Sequence, residues 1–446
     1  MKWIKHRALV IIPVVTLFLV GILLHSARIG LFYKDWATYP TNKHIFDQGL
    51  LVKAGEITDR NKTVLAYTEN KTRKYNDNAD IRKSTVHTVG DLKGFVSTGM
   101  QSAYLSTLAG YDLVNGVFNV SGKGNNIALT LDSKLCVTAT KALGNRSGTV
   151  GIYNYKTGEI VCIANTPTFD PTEAAAPKGD GVYVNRFLSG VYAPGSIFKL
   201  VTTLSALENT KADELCFGCN YGVDIMGEKL TCMGMHGDIK IEKALVHSCN
   251  AFFAQTALAL GRNTMTKTAE KIGFNKTLKM DGIECAQSKY NVAEANDIDF
   301  GWSGIGQQND LVNPYQYLSF VGAIANDGEG IAPFVINKIT SPKGVTIKNS
   351  SKAKSTLMSK ENAQKLKTMM RSNVKENYGD YRFPGLEVCG KTGTAEIGKN
   401  ATPHSLFVGF VDSEDTPYAF VVVVENSGAG SGTALSVASK VLTALK

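Results

Sequence analysis

The sequence predicts an α+β fold: an N-terminal transmembrane helix, a small extended N-terminal domain, and a larger domain in which a β-sheet flanked by helices adjoins an all-helical lobe. Three observations carry this expectation. An uncharged apolar run opens the chain, β-patterned segments lie at both ends of the region after residue 126, and a long stretch of helical character separates them. Strands from the two ends of a domain can share one sheet, which makes the helical middle a second lobe with a cleft between the two. The 446 residues suffice for two or three compact domains, at roughly 150 residues each.

The opening run, Ala8 to Leu24, contains no charged residue, and Lys2, Lys5 and Arg7 precede it. Its length sits at the short end of what spans a hydrocarbon core, and basic residues on its N-terminal side hold that end in the cytoplasm. We therefore expect residues 1–7 in the cytoplasm, an anchor in the lipid bilayer over 8–27, and the rest of the chain outside the cell membrane. A cleaved signal peptide would need a small-residue cleavage pattern, which Leu24-His25-Ser26-Ala27 does not supply. The net charge of +9 comes from scattered Lys and Arg residues, with no basic helix and no aromatic RNA-binding pattern. It fits a solvated surface attracted to anionic wall or lipid, and no nucleic acid is expected as a partner.

Residues 28–125 show little periodicity and carry turn clusters such as Asn76-Asp77-Asn78, as expected of a small stalk-like or dimerisation-like domain. A larger second domain is expected over 126–446. Ile127 to Leu131 reads as a strand, and Asp132 or Ser133 caps a helix through Leu143. Thr149 to Tyr153 and Ile160 to Ala164 flank Lys156-Thr157-Gly158 as a hairpin. Residues 195–330 read as mostly helical. Leu406 to Val411 and Ala419 to Val424 form a second strand pair, and Leu435, Ala438, Val441, Leu442 and Leu445 mark a C-terminal amphipathic helix.

Three short motifs carry the chemistry. In Ser196-Ile197-Phe198-Lys199, the preceding Pro194-Gly195 places Ser196 at a helix start, where free N–H groups favour developing negative charge. Lys199 lies one turn later on the same face and becomes a base for the hydroxyl if burial and a nearby cation lower its pKa. Chance alone gives about two Ser-x-x-Lys matches in such a chain. The further matches at Ser351 and Ser372 lie in a polar stretch and at a helix end. In Ser248-Cys249-Asn250, a hydroxyl relays a proton and an amide holds the substrate backbone; capping of a helix is the plain alternative. In Lys391-Thr392-Gly393-Thr394, a strand offers a cation, hydroxyls and a close-approach glycine to a peptide ending in a carboxylate. The N–H groups of Thr394 and Ser196 are candidate oxyanion donors. Lys156-Thr157-Gly158 repeats the tripeptide, but in a hairpin turn ahead of the nucleophile.

In this order and context, the motif set resembles the class B penicillin-binding proteins over nearly the whole chain. The resemblance also includes Gly55-Glu56-Ile57-Thr58-Asp59-Arg60, Thr166-Pro167-Thr168-Phe169-Asp170-Pro171, Gly304-Ile305-Gly306-Gln307 with Asn313-Pro314, and Ala325-Asn326-Asp327-Gly328. Ser405-Leu406 after His404 departs from the small-aromatic pair of many relatives. The resemblance implies a penicilloyl-transferase fold, with an antiparallel sheet covered by helices and an all-helical lobe. It implies attack by Ser196 on the penultimate D-alanine carbonyl of a peptidoglycan stem peptide, then acyl transfer to an amine, with β-lactam antibiotics acylating the same serine. It implies no cofactor for these steps. The segment before residue 126 is too short for a glycosyltransferase domain, so a membrane glycan polymerase is the expected partner.

The eight cysteines divide in two groups. Cys136, Cys162, Cys249 and Cys389 lie in apolar or motif settings and read as small core residues. Cys216-x2-Cys219, Cys232 and His236 have the spacing of a structural zinc site. Disulfides and free thiols stand beside that reading, Asp213, Glu214, Asp224 or Asp238 are substitutes for His236, and Cys285 is unassigned. Among rival functions, a β-lactamase needs a deacylating base, and no Glu-x-x-x-Asn element lies between Ser248 and Lys391. A D,D-carboxypeptidase differs only in using water as acceptor. A non-catalytic sensor or scaffold is the reading from another class; it would not require every catalytic side chain, and all are present.

Overall fold

The computed structural model describes residues 2–39, 41–47, 50–112, 116–117, 122–173, 177, 179–350, 352–396, 398, 401–428 and 432–445. Gly148–Asn154 and Ile160–Thr166 are largely apolar, and all residues of the second are buried. Such strands lack in-out alternation because both faces of their sheet are covered. They form one edge of a five-stranded antiparallel sheet in the order Val388–Ala395, His404–Val411, Tyr418–Val424, Gly148–Asn154, Ile160–Thr166. The two ends of the domain therefore meet where Val424 pairs with Gly148 and Tyr418 with Asn154.

Helix Ser133–Leu143 starts where the Asp132 carboxylate accepts from the N–H groups of Lys134 and Leu135, and it stops at Gly144, whose φ of 63° suits glycine. It packs with the C-terminal helix Gly432–Thr443 against the sheet. Helix Pro314–Ala325, capped by Asn313 with Pro314 in its first turn, covers the central strands.

The N-terminal segment is fastened to this domain by a second sheet. Its order is Thr346–Asn349, Ile336–Thr340, Asn126–Leu129, Ile57–Thr58, Val64–Glu69, Thr72–Tyr75. Asn126–Leu129 pairs antiparallel with Ile336–Thr340 and parallel with Ile57–Thr58. The Gly55 to Arg60 signature has a structural reason here. The Asp59 carboxylate accepts from Asn61 N and Thr63 N at 2.8 Å each and from Ser133 Oγ at 2.7 Å, tying a turn to the start of the next domain's first helix. Helix Ala79–Val89 is held by Arg82, whose guanidinium forks onto Asp170 at 2.8 and 2.6 Å.

The apolar helix runs from Lys2 to Ala37 and contains the residues expected to form the anchor. One expectation changes. Within the stretch read as helical, helices Lys199–Asn209, Ile241–Val246, Asn250–Leu260, Arg262–Lys271 and Asp297–Ser303 are present, but Cys216–Ile225 and Glu228–Lys240 form a β-hairpin. Its two-residue turn puts Met226 at φ 53° and Gly227 at φ 86°, and Asp224 Oδ1 accepts from Gly227 N. A methionine in a left-handed position gives no Asn-Gly signal, which is why the turn was not legible.

Candidate active site

The turn Gly195–Phe198 and helix Lys199–Asn209 bring Ser196 to the floor of a cleft between sheet and helical lobe, with Lys199 beneath it. Gly195 sits at φ 53° and its missing Cβ would collide with the Thr394 carbonyl, so only glycine lets the nucleophile turn approach the strand. Its N–H donates to Gly306 O at 2.8 Å, and Tyr317 Oη donates to Ile197 O at 2.6 Å. Lys199 Nζ lies 3.0 Å from Ser196 Oγ, 2.7 Å from Asn250 Oδ1, and 2.6 and 3.1 Å from the carbonyl and hydroxyl of Ser248. Lys391 Nζ reaches the other side of Ser248 Oγ at 3.0 Å and also donates to Thr392 O at 3.0 Å. One continuous path thus links Ser196, Lys199, Ser248 and Lys391, and the five predicted catalytic side chains share one site.

Both amines are fully buried, Lys199 at 0% and Lys391 at 1% exposure. Burial drives the Lys199 pKa well below its ordinary value, and the neighbouring Lys391 charge pushes it the same way. Burial alone brings Lys391 to about 7. Ser248 occupies φ 53°, a conformation that costs a non-glycine residue about 1–2 kcal/mol. That strain is the price of aiming both its carbonyl and its hydroxyl at Lys199.

The edge strand Val388–Ala395 forms the opposite wall. Thr392 donates through N at 3.2 Å and Oγ1 at 3.0 Å to the Tyr378 hydroxyl, so its N–H points away from the neighbouring strand. Residues two apart in a strand share a side, so Thr394 also presents its N–H and carbonyl to the cleft. Its carbonyl accepts from Gln307 Nε2 at 3.4 Å. Gly393 lies against the nucleophile turn, where a Cβ would come within 2.7 Å of Pro194 O. Tyr378 is a site residue that the sequence did not reveal. It lies in an irregular π-helical segment, Val374–Tyr378, and nothing in that stretch has a recognisable spacing. The rejected motif copies lie elsewhere: Lys156 and Thr157 in a turn capped by Asn154 Oδ1, and Ser372 inside helix Lys360–Asn373. Ser351 is outside the described residues.

The Cys/His cluster forms with one exchange of membership. Cys219, Cys232, His236 and Cys249 bring their ligand atoms within 4.8 Å of one another, whereas Cys216 is exposed and absent from the group. Cys216 and Cys219 lie three apart on one strand, an odd separation that turns them to opposite faces. Cys249, read as a core residue, takes the place of Cys216. Cys136, Cys162 and Cys389 are buried in the core.

The family model described as "Penicillin binding protein transpeptidase domain" matches residues 148–444. The peptidoglycan D,D-transpeptidase PbpA of Mycolicibacterium smegmatis is 24% identical over 373 residues, covering 75% of this chain and 76% of that protein. Stage V sporulation protein D of Bacillus subtilis is 28% identical over 330 residues, covering 68% of this chain and 50% of that protein. The fold is similar to penicillin-binding protein A from M. tuberculosis in its penicillin G acyl-enzyme complex, with a TM-score of 0.78 at 22% identity over 88% of this chain and all of the other. With that family match spanning the nucleophile turn, the Ser248 segment and the Lys391 strand, the chain belongs to the penicillin-binding protein transpeptidase family, as a class B penicillin-binding protein.

Proposed function

We infer that the protein is a serine D,D-transpeptidase that cross-links peptidoglycan stem peptides through an acyl-enzyme on Ser196. The observation that carries this reading is the Lys199 amine, buried and 3.0 Å from Ser196 Oγ. A neutral amine there accepts the hydroxyl proton as Ser196 attacks the penultimate D-alanine carbonyl. The oxyanion forms between the N–H groups of Ser196 and Thr394. When the tetrahedral intermediate collapses, the C–N bond breaks and the leaving D-alanine amine takes a proton through Lys199 and Ser248. An acceptor amine then attacks the ester, gives up its proton by the same route, and releases Ser196.

Asn250 steadies Lys199 through Oδ1, while its Nδ2 is occupied by Thr231 O at 3.0 Å. Lys391 and Thr392 or Thr394 bind the terminal carboxylate, and Gly393 lets the strand close on the nucleophile turn. These steps are performed by side chains and backbone alone. β-Lactams acylate Ser196 by the same path. The helix over Trp3–Phe32 contains an 18-residue stretch with a mean hydropathy of 2.7 and is long and apolar enough to cross a membrane. With Lys5 and Arg7 at its start, it supports an anchor in the lipid bilayer that leaves the catalytic domain outside. Glycan strands would come from a separate membrane polymerase.

Intact-mass measurement after incubation with a penicillin tests the assignment. Wild type should gain one persistent adduct and Ser196→Ala none. Rapid return of wild type to its starting mass would point to a β-lactamase, and an adduct on Ser196→Ala would move the nucleophile elsewhere.

A further inference from the structure

The loop that carries Ser248 and Asn250 is held by residues the acyl transfer does not use. His236 Nδ1 lies 3.3 Å from Cys219 Sγ and 3.6 Å from Cys232 Sγ, and Cys232 Sγ lies 4.0 Å from Cys249 Sγ. A tetrahedral zinc ion with Zn–S near 2.3 Å and Zn–N near 2.0 Å sets its ligands roughly 3.8 Å apart for two sulfurs and about 3.6 Å for sulfur and nitrogen. These three separations lie within a few tenths of an ångström of those edges, and all four ligand atoms fall within 4.8 Å of one another. They do not match a disulfide, whose sulfurs are about 2 Å apart. Backbone N–H groups point at the sulfurs as well: Asn250 N donates to Cys232 Sγ at 3.3 Å and Phe252 N to Cys249 Sγ at 3.4 Å. Donors in that position favour thiolates, the form in which cysteine binds a metal.

We propose that Cys219, Cys232, Cys249 and His236 bind one structural zinc ion, and that this ion positions the active-site segment Ser248-Cys249-Asn250. Three sulfurs and one imidazole in tetrahedral reach select zinc, and four protein ligands leave no open position for water or substrate. The metal therefore performs no step of the reaction. Its effect comes from the place of Cys249 in the chain, between two residues that both touch Lys199 Nζ. A bond from Cys249 to an ion shared with the hairpin residues Cys219, Cys232 and His236 fixes the left-handed turn at Ser248 and the start of helix Asn250–Leu260. The metal-binding half of the proposal stands on the cluster alone, and the positioning half rests on the roles given above to Ser248 and Asn250.

The test uses the full-length protein in detergent, purified without chelator. Elemental analysis should find about one zinc per chain in wild type, Ser196→Ala and Cys216→Ala, and well under half an equivalent in Cys219→Ala and Cys249→Ala. Replacing zinc by cobalt in wild type should give thiolate charge-transfer and tetrahedral visible bands, a readout that does not depend on any variant folding. Chelation should slow acylation by a fluorescent penicillin at least about tenfold, and added zinc should restore it. Less than half an equivalent of zinc in wild type, or zinc lost from Cys216→Ala but kept in Cys249→Ala, overturns the site. Unchanged acylation after zinc removal overturns the positioning role. A wild type that holds zinc but never acylates overturns the transpeptidase reading and leaves the metal site standing.

Discussion

Among the described residues, no salt bridge involves Lys199 or Lys391, and this absence sets the chemistry at the scale of single residues. A buried ammonium without a carboxylate gives up its proton, and two amines sharing the Ser248 hydroxyl repel each other's charge. The acylation rate should therefore rise with pH as Lys199 loses its proton, over a range below the ordinary lysine pKa. Lys391, at about 7 instead of 10.5, also links pH to stability. Between those values the unfolded chain binds a proton that the folded chain does not, so stability increases with pH across that window and is level below it. Lys199→Arg keeps a charge at every accessible pH. It should lower the acylation rate by about 10²–10⁴-fold and abolish the ascending limb of the pH profile, read with a fluorescent penicillin. An Arg variant within tenfold of wild type would remove Lys199 as the base. Ser196 and Lys199 were legible in sequence because a helix start fixes their relation within four residues. Tyr378 and the link from Cys249 to His236 were not, because only tertiary packing brings those groups together.

At the scale of elements, the cleft depends on how closely the edge strand approaches the nucleophile turn. Gly195 lies against the Thr394 carbonyl and Gly393 against the Pro194 carbonyl, each leaving space that the opposite segment's backbone fills. Gly393→Ala should push the strand away from Pro194 and Ile197, carrying Thr394 N–H with it, and a shift near 1 Å costs about 10²-fold in rate. Acylation kinetics should show that loss while the thermal midpoint changes little, since the strand keeps its pairing with His404–Val411. A variant that acylates as fast as wild type would show that the approach is not limiting. The sheet was legible from its apolar runs, which are long, β-branched and bounded by turns. The hairpin over Cys216 to Lys240 was harder. Its second strand alternates between exposed and less exposed residues, but irregular pairing between Thr231 and Gly237 breaks the period, and the turn residues carry no standard signal.

For the whole molecule, the catalytic domain and the segment before it behave as one body because Asn126–Leu129 is shared by strands from both and Arg82 joins Asp170 across them. Among the described residues, the apolar helix makes no comparable attachment. None of its most apolar window is buried, and Leu9, Leu17, Phe18 and Leu23 are each more than two-thirds exposed. Exposed apolar side chains over that length are tolerated only in lipid or detergent. Among the described residues, the helix supplies no group to the geometry around Ser196. Removing residues 1–32 should yield a chain that stays in solution without detergent and acylates with penicillin within about twofold of the intact protein, because no group touching Ser196, Lys199 or Lys391 comes from the deleted part. Fractionation by ultracentrifugation and acylation kinetics measure the two halves of this expectation. A soluble but inactive product would mean that the anchor supports the catalytic fold, and an active product that still needs detergent would mean that a second apolar surface holds the protein to the membrane.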